Sequence, residues 1–226
     1  MEPSTSNPSE DRAVHDREYR IEVIRKAIHL CSISIPIVYY LTSRQLALAI
    51  LIPLTTFCII ADLTRYYSRS FGKFFYGVFG MLLRQHERND RKKTLNGATY
   101  VLIAASLCIL VFPKIIAVTA FLILIVSDMT SALVGKRFGR HRFFGKSLEG
   151  SVAFFLSAAV VILVTPKISY VTGEYVIGVT AAALGALVEA LPLGIDDNIT
   201  IPLLVGAALW AAYALWLPGL NLQQLG

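Results

Sequence analysis

The chain has 226 residues, of which 55% are hydrophobic and 16% are charged, and its mean hydropathy is +0.62. This composition excludes an ordinary soluble domain, because the apolar residues form long blocks instead of amphipathic stripes. The three cysteines lie inside apolar blocks and form neither a disulfide framework nor a metal-binding spacing. We therefore expect an all-α polytopic membrane protein.

Seven apolar segments predict seven transmembrane helices, although several are shorter than the roughly 20 residues of a typical crossing. The segments cover residues 25–41, 46–61, 98–112, 115–134, 151–164, 175–191 and 199–217. With a cytoplasmic N-terminus, all but three of the 21 Lys and Arg residues fall on the cytoplasmic side; the exceptions are Arg44, Lys114 and Lys167. This asymmetry predicts that the N-terminus is cytoplasmic and that the C-terminus lies on the opposite side.

Residues 1–20 are polar and of mixed charge, which predicts a flexible cytoplasmic tail. A single transmembrane catalytic domain is expected to cover residues 21–226. Its first helix begins with Arg25, Lys26 and His29, and residues 25 and 29 share one helix face at the cytoplasmic rim. From their position alone, these residues are either interfacial anchors or part of a site.

The second transmembrane segment ends at Asp62, three residues before Arg65, so an ion pair on the helix surface explains Asp62 as well as a site does. Residues 71–83 repeat apolar side chains at helical spacing and predict an amphipathic helix in the headgroup plane. This helix is either a packed re-entrant segment or a gate for a lipid tail. A basic stretch, 84–93, then leads to Asn96, a predicted N-cap of the third transmembrane helix.

The most informative stretch is SDMTSALVGKRFGRHRFFGKSLEG, residues 127–150. Asp128 precedes Gly135 by seven residues and so lies about 10 Å inside the membrane at the helical rise. An ionisable group at that depth is costly and indicates a function. The basic loop with Gly135 and Gly139 is not a Walker loop, and a connecting loop that topology requires is the alternative explanation. The loop ends at Lys146, before Glu149.

Small residues recur in the sixth segment, at Gly178, Ala182 and Gly185. They predict close packing between helices and permit a homodimer. The segment ends at Glu189, and the short loop after it brings Asp196, Asp197 and Asn198 to the start of the seventh helix. These three residues are either site residues or the N-cap of that helix.

The topology places acids, cations and helix N-termini from separate segments at one cytoplasmic rim. Carboxylates together with phosphates suit Mg²⁺, and basic residues beside a glycine-containing loop suit a polyphosphate. The far side carries no comparable set. We infer a pocket in which a cytosolic polyphosphate acts on a group at the membrane surface.

Three blocks of sequence resemble the CTP-dependent lipid alcohol kinases, namely dolichol kinase, phytol kinase and the yeast-type diacylglycerol kinase. They are Arg25-Lys26-x-x-His29, the block from Asp128 through Gly135 and Gly139 to Lys146-Ser147-x-Glu149-Gly150-Ser151, and Glu189 with residues 194–202 (GIDDNITIP). The middle block is also similar to the phosphatidate cytidylyltransferases. Their C-terminal His-Gly-Gly and Asp-Arg-x-Asp segment is replaced here by Asp-Asp-Asn-x-Thr-Ile-Pro, which favours a kinase.

The resemblance implies transfer of the γ-phosphoryl group of CTP, with Mg²⁺ as cofactor, to the hydroxyl of a polyprenol-type lipid alcohol such as dolichol or phytol. The alternatives are a CTP-dependent cytidylyltransferase that makes a CDP-lipid, and a transporter in which Asp128 lines an ion path. CTP and a membrane lipid alcohol are the expected partners, with no nucleic acid. We expect an integral membrane protein whose active site faces the cytoplasm.

The predicted site residues fall into four groups. The catalytic residues are Asp128, Lys146 and Glu149, with Asp128 as a metal ligand first and as a base to the lipid hydroxyl second. The nucleotide-binding residues are Arg25, Lys26, Gly135, Lys136, Gly139, Lys146, Ser147 and Asn198. The metal ligands are Asp128, Asp196 and Asp197. Further polar candidates are His29, Asp62, Asn96 and Glu189.

Overall fold

The computed structural model describes residues 8–80, 83 and 94–222, with the backbone alone for residues 8–18. The predicted basic stretch 84–93 and residues 1–7 of the predicted tail lie outside the described residues. The helices are α1 Pro8–Cys31, α2 Ser34–Leu41, α3 Arg44–Tyr67, α4 Arg69–Phe79, α5 Gly97–Val111, α6 Lys114–Phe138, α7 Leu148–Val164, α8 Thr172–Ala190 and α9 Asp197–Trp216. Two short strands, β1 Arg142–Phe143 and β2 Lys146–Ser147, lie between α6 and α7.

Four of the described helices, α3, α6, α8 and α9, are long and apolar enough to cross a membrane, and α5 and α7 are shorter apolar helices. These six correspond to the second through seventh predicted segments. The chain is therefore a helical membrane protein, as its composition predicted.

The first predicted segment, 25–41, is interrupted instead of continuous. After α1 ends at Cys31, the N–H groups of Ser32 and Ile33 donate to carbonyls only three residues back, and α2 then begins. Pro36 explains the break, because it has no N–H to donate to the Ser32 carbonyl and its ring crowds that carbonyl.

The predicted tail is a second difference from expectation. Residues 8–20 belong to α1, so this part of the tail is helical and continues into the helix that carries Lys26. Low hydrophobicity suggested disorder, but Glu, Arg and Ala in this stretch are good helix formers, and the packed turns that follow extend the helix backward.

Helix α6 lies at the centre of the chain, where it packs against α1, α2, α5, α7 and α9. Its apolar side chains Ile116, Ile123 and Leu124 are fully buried. Because other helices surround α6, its polar residues Ser127, Asp128 and Ser131 are buried inside the protein and not exposed to lipid. An acid in this helix is therefore held within the chain.

The small residues of α8 pack against α7 and α9. A Cβ added at Gly178 would lie 2.4 Å from Cγ2 of Ile162 in α7, and one at Gly185 would lie 3.0 Å from Val205 in α9. The predicted close helix packing is thus present, but within one chain. The homodimer prediction depended on this small-residue face of α8, which α7 and α9 of the same chain cover.

The basic loop between α6 and α7 forms an antiparallel hairpin, in which Arg142 pairs with Ser147 and Phe143 pairs with Lys146. The all-α prediction did not include it. Its turn places Phe144 in the left-handed region at φ 50°, which is uncommon for a bulky residue. The Gly145 N–H donates to the carbonyl of Ala190 at 3.4 Å, which ties the hairpin to the end of α8.

Candidate active site

A cavity of about 370 Å³ is bounded by residues of α1, α3, α4, α5, α6 and α9. Polar side chains from four different helices or caps meet in its lining: Lys26, His29, Asn96, Asp128 and Asn198. The rest of the lining is largely apolar and comes mainly from α3, α4 and α5. The cavity therefore combines a charged region with a hydrocarbon-like wall.

Asp128 lies in this polar region and is only 8% exposed. The ammonium group of Lys26 donates to Oδ2 of Asp128 and also to its backbone carbonyl, the latter at 3.3 Å. Nε2 of His29 lies 3.8 Å from the same carboxylate oxygen. Lys26 and His29 are three residues apart and share a face of α1, which packs on α6. A buried carboxylate is thus compensated by a cation from another helix.

Glu22 joins α1 to the end of α6 and was not predicted as a site residue. It is buried, and its two carboxylate oxygens accept from Arg25 at 2.7 Å and from Lys136 at 2.8 Å. Arg25 and Lys136, both predicted nucleotide ligands, are therefore brought to one carboxylate. The signal was available in the sequence, because Glu22 lies three and four residues before Arg25 and Lys26 and shares their helix face.

A second charged cluster is organised around Lys146. Its ammonium group lies 2.8 Å from Oε1 of Glu189 and 2.8 Å from Oδ2 of Asp197. Two hydroxyls also donate to the buried Glu189, that of Ser131 at 2.7 Å and that of Ser151 at 3.3 Å. Residues from β2, α6, α7, α8 and α9 therefore converge.

The charge of Lys146 is stabilised by its surroundings. Burial lowers the pKa of this lysine, but the adjacent Asp197 and Glu189 raise it by more, so its pKa stands above the ordinary value. Lys146 is consequently a fixed positive charge at neutral pH.

The two clusters adjoin each other. Asp128 and Ser131 are three residues apart on the interior face of α6, and Asp197 and Asn198 are consecutive in α9. Lys146 contacts Asp197, and the adjacent Asn198 lines the cavity together with Asp128. Predicted residues from separate sequence blocks thus form one continuous polar surface.

Three predicted site residues cap helices. Asp196 accepts from the Asn198 backbone N–H at 2.9 Å and caps α9. Ser147 accepts from the Gly150 N–H at 3.1 Å and caps α7, and Asn96 accepts from the Thr99 N–H at 2.9 Å and caps α5. Capping explains why these residue types occur here without requiring a ligand. An N-cap was the alternative role for Asp196 and the predicted role for Asn96.

Gly135 lies inside α6 and not in the predicted loop, Gly139 follows the end of that helix, and both glycines pack against Ser147. A Cβ at Gly135 would lie 2.9 Å from Ser147 Oγ, and one at Gly139 would lie 2.8 Å from Ser147 Cβ. Close packing between the end of α6 and the start of α7 therefore requires glycine at both positions. Glu149 accepts from His141 through N–H at 3.2 Å and Nδ1 at 2.8 Å, which closes the loop between them.

Asp62 is fully buried beside the cavity and lies at the centre of a cluster of polar side chains. It accepts from Asn96 N at 2.9 Å and Nδ2 at 2.8 Å, and from the Thr99 hydroxyl at 2.7 Å. Nε of Arg65 lies 3.6 Å from the same carboxylate, as the i,i+3 spacing predicted. The Asp62 cluster, meaning Asp62, Arg65, Asn96 and Thr99, thus joins α3 to α5.

No group of three or more His, Cys, Asp and Glu side chains that could hold a metal is found among the described residues. Mg²⁺ is usually held by one or two carboxylates together with substrate phosphates, so a larger protein cage is not required. Asp128 and Asp197, on the continuous polar surface, fit that arrangement. Asp196 already has a structural role, because it caps α9 and accepts two hydrogen bonds from Asn198.

Comparisons with known proteins identify several relatives. An uncharacterised protein of Rickettsia prowazekii is 31% identical over 188 residues, which cover 82% of this chain and 92% of that protein. CTP-dependent diacylglycerol kinase 1 of Schizosaccharomyces pombe is 27% identical over 164 residues, or 66% of this chain and 73% of that protein. A phytol kinase of Synechocystis is 38% identical over 112 residues, or 46% of this chain and 47% of that protein. No protein-family model and no solved structure matches the chain.

Proposed function

We propose that this chain, which belongs to the family of CTP-dependent lipid kinases, transfers the γ-phosphoryl group of CTP to the hydroxyl of a polyprenol-type lipid alcohol at the cytoplasmic membrane face. The observation that carries this proposal is the cavity in which Lys26, His29, Asp128 and Asn198 adjoin an apolar wall. Such a lining suits an acceptor with a polar head and a hydrocarbon tail.

The hydroxyl of the acceptor would lie at the polar end of the cavity. Asp128 is the leading residue there, because its buried carboxylate faces both the cavity and the continuous polar surface. Phosphoryl transfer depends mainly on positioning and charge stabilisation, with little covalent chemistry by the protein. The role of Asp128 is therefore to fix charges and the acceptor, with acceptance of the hydroxyl proton as its second role.

The triphosphate would bind on the cytosolic side of Asp128, where Lys146, Lys26, Arg25 and Lys136 supply positive charge. In the structure these four residues contact carboxylates of the protein itself. Those contacts hold the cations in place before the nucleotide arrives and reduce the cost of organising them. Phosphate oxygens would then replace part of this carboxylate coordination.

Asp128 and Asp197 would hold Mg²⁺ together with the phosphates of the nucleotide, and Asn198 lies beside them as a further oxygen donor. The ion would neutralise charge on the β- and γ-phosphates. What the chain itself supplies is the pair of carboxylates and the lysines that keep them oriented.

A phosphorylation assay with purified protein and γ-labelled CTP tests the proposal. Dolichol, phytol, a farnesol-type alcohol and diacylglycerol are offered separately in mixed micelles. We expect label in the organic phase with at least one prenol-type alcohol and a dependence on Mg²⁺. Absence of lipid-bound label with every acceptor would contradict a lipid kinase, and label found only in pyrophosphate would favour the cytidylyltransferase alternative.

A further inference from the structure

We propose that the hydrocarbon chain of the acceptor lies in the cavity beside α4, and that Phe79 and Phe57 restrict the acceptor to alcohols with a single chain. This inference rests on the proposed lipid kinase function and specifies how the same site selects its substrate. It assigns specificity to two aromatic residues outside the charged clusters.

The lining of the cavity changes character from one part to another. The polar part holds Lys26 and Asp128, whereas α3 contributes Phe57 and Cys58, and α4 contributes Phe75 and Phe79. An acceptor whose hydroxyl meets Asp128 would therefore place the first carbons of its chain against these aromatic rings. Burial of each methylene there is favourable by roughly 0.8 kcal/mol.

The size of the cavity limits how many chains it accepts. Its volume of about 370 Å³ is near the lower end of the roughly 300–1,000 Å³ of small-molecule sites. We infer that a space of this size suits a single hydrocarbon chain. A glycerol backbone with two acyl chains would require room beside the first chain, where Val101 and Phe75 are buried and packed.

The α4 wall is held in position by the Asp62 cluster. The guanidinium of Arg65 lies 4.9 Å from the ring centroid of Phe75, and it donates to the Thr94 carbonyl at 2.8 Å. Phe79 then packs on Phe75, with ring centroids 5.1 Å apart. Because Arg65 is buried beneath Phe75, this aromatic row cannot move away from α3 without exposing a charge.

Part of the cavity wall belongs to the outer surface at α3 and α4. Phe57 and Phe79 both line the cavity and are 68% and 44% exposed, so their rings form part of its wall and also of the outer apolar surface. A chain can enter there from the hydrocarbon layer. A ring at this position excludes a second chain by bulk, which is how an apolar pocket discriminates between substrates.

Phe79→Ala tests this inference, with Phe74→Ala as the matched control on the same helix. Phe74 is 64% exposed and does not line the cavity. The measurement is the ratio of kcat/KM for a phytol-type alcohol to kcat/KM for diacylglycerol. We expect the wild type to favour the single-chain alcohol, Phe79→Ala to lower this ratio about tenfold or more, and Phe74→Ala to leave it within about twofold. An unchanged ratio in Phe79→Ala would overturn the assignment.

Photolabelling of the wild-type protein locates the chain without requiring turnover. A prenol with a diazirine near its hydroxyl is bound in the absence of CTP, irradiated, and mapped by peptide mass spectrometry. Label on residues 57–61 or 75–79, competed by unlabelled phytol, supports the inference. Label confined to other helices overturns it. Failure of all alcohols to become phosphorylated would count against the kinase, while the labelled peptide still decides where the chain lies.

Discussion

At the scale of single residues, Asp128 is a buried charge whose cost is offset by another charge. Lys26 donates to its carboxylate and His29 lies 3.8 Å from it, all beside the cavity. A buried ion pair is weak evidence for stability, because two well-packed apolar residues often serve as well. Its position beside a cavity is what favours a role in function.

Asp128→Asn is expected to reduce turnover by about 100-fold or more, because it removes a charge that the transfer requires. The variant also leaves Lys26 buried without its carboxylate, so the folded state should lose stability. The measurements are lipid phosphorylation per folded molecule and thermal unfolding in detergent. Normal turnover would remove Asp128 from the mechanism.

The double variant Lys26→Met/Asp128→Leu separates the loss of turnover from the loss of stability expected for Asp128→Asn. It replaces the ion pair with apolar side chains of similar volume, so we expect its thermal stability to return toward that of the wild type. Its activity should remain lost. Recovery of activity together with stability would show that Asp128 serves only the fold.

Lys146→Met is expected to raise the KM for CTP at least about tenfold, since a hydrogen bond to a charged group contributes roughly 1.5–3 kcal/mol. Because Asp197 and Glu189 hold the pKa of Lys146 above its ordinary value, the lysine stays charged from pH 7 to 9 and the effect should be equal across that range. Lys73→Met, on the exposed side of α4, is the control. An unchanged KM for CTP would mean that Lys146 does not bind the nucleotide and serves only as a positive charge that sets the membrane orientation.

Residue types and spacing pointed to Asp128, Lys146 and Glu189, but not to the two hydroxyls that donate to Glu189. Ser131 donates to Glu189, although the two are 58 positions apart in the chain. No local pattern predicts such a contact, because it depends on how α6 and α8 pack. Glu22 was detectable through helical spacing, whereas Ser131 and Ser151 required the fold.

At the scale of the helices, the Asp62 cluster is a structural joint between α3 and α5. Asp62→Ala would leave Arg65 buried without its carboxylate, and the Asn96 and Thr99 donors would lose their acceptor. We expect a loss of stability of about 3–5 kcal/mol, the usual effect of breaking a buried pair. Unfolding in detergent measures it. Full stability with lost activity would instead assign Asp62 to the chemistry.

The contact of α7 with α8 provides a second prediction at this scale. Gly178→Ala would place a methyl group 2.4 Å from Ile162, so we expect destabilisation by about 1–3 kcal/mol from overpacking. Ile162→Ala in the same chain should relieve the clash. Gly77→Ala is the control, because a Cβ there has no neighbour within 4 Å and should stabilise α4 by about 1 kcal/mol. Equal effects at both glycines would contradict the packing.

Apolar blocks predicted where most helices lie, but not how the first segment is divided or how small residues are used. The break between α1 and α2 depends on one proline, which a hydropathy pattern averages away. Small residues on one face of α8 predict close helix packing, but they do not say whether the partner helix belongs to the same chain or to a second copy. Only the packing of α7 and α9 against that face decides between the two.

At the scale of the whole molecule, the charged clusters meet where the ends of α1, α6 and α8 and the N-termini of α5, α7 and α9 come together. That convergence could be anticipated from topology, since acids and cations were predicted at one side of the membrane. The cavity could not be anticipated, because its wall is formed by apolar side chains of separate helices. No sequence motif marks those contacts. Part of that wall depends on how α4 packs against α3.

The proposed phosphoryl transfer is tested most directly by comparing CTP labelled in the γ-phosphate with CTP labelled in the α-phosphate. Purified wild-type protein and Asp128→Asn are each incubated with phytol and Mg²⁺, and the lipid and aqueous products are separated. We expect that the γ-label enters the lipid, that the α-label stays in soluble CDP, and that Asp128→Asn transfers the γ-label at least about 100-fold more slowly. The α-label in the lipid, or γ-label transfer undiminished in Asp128→Asn, would contradict the proposal.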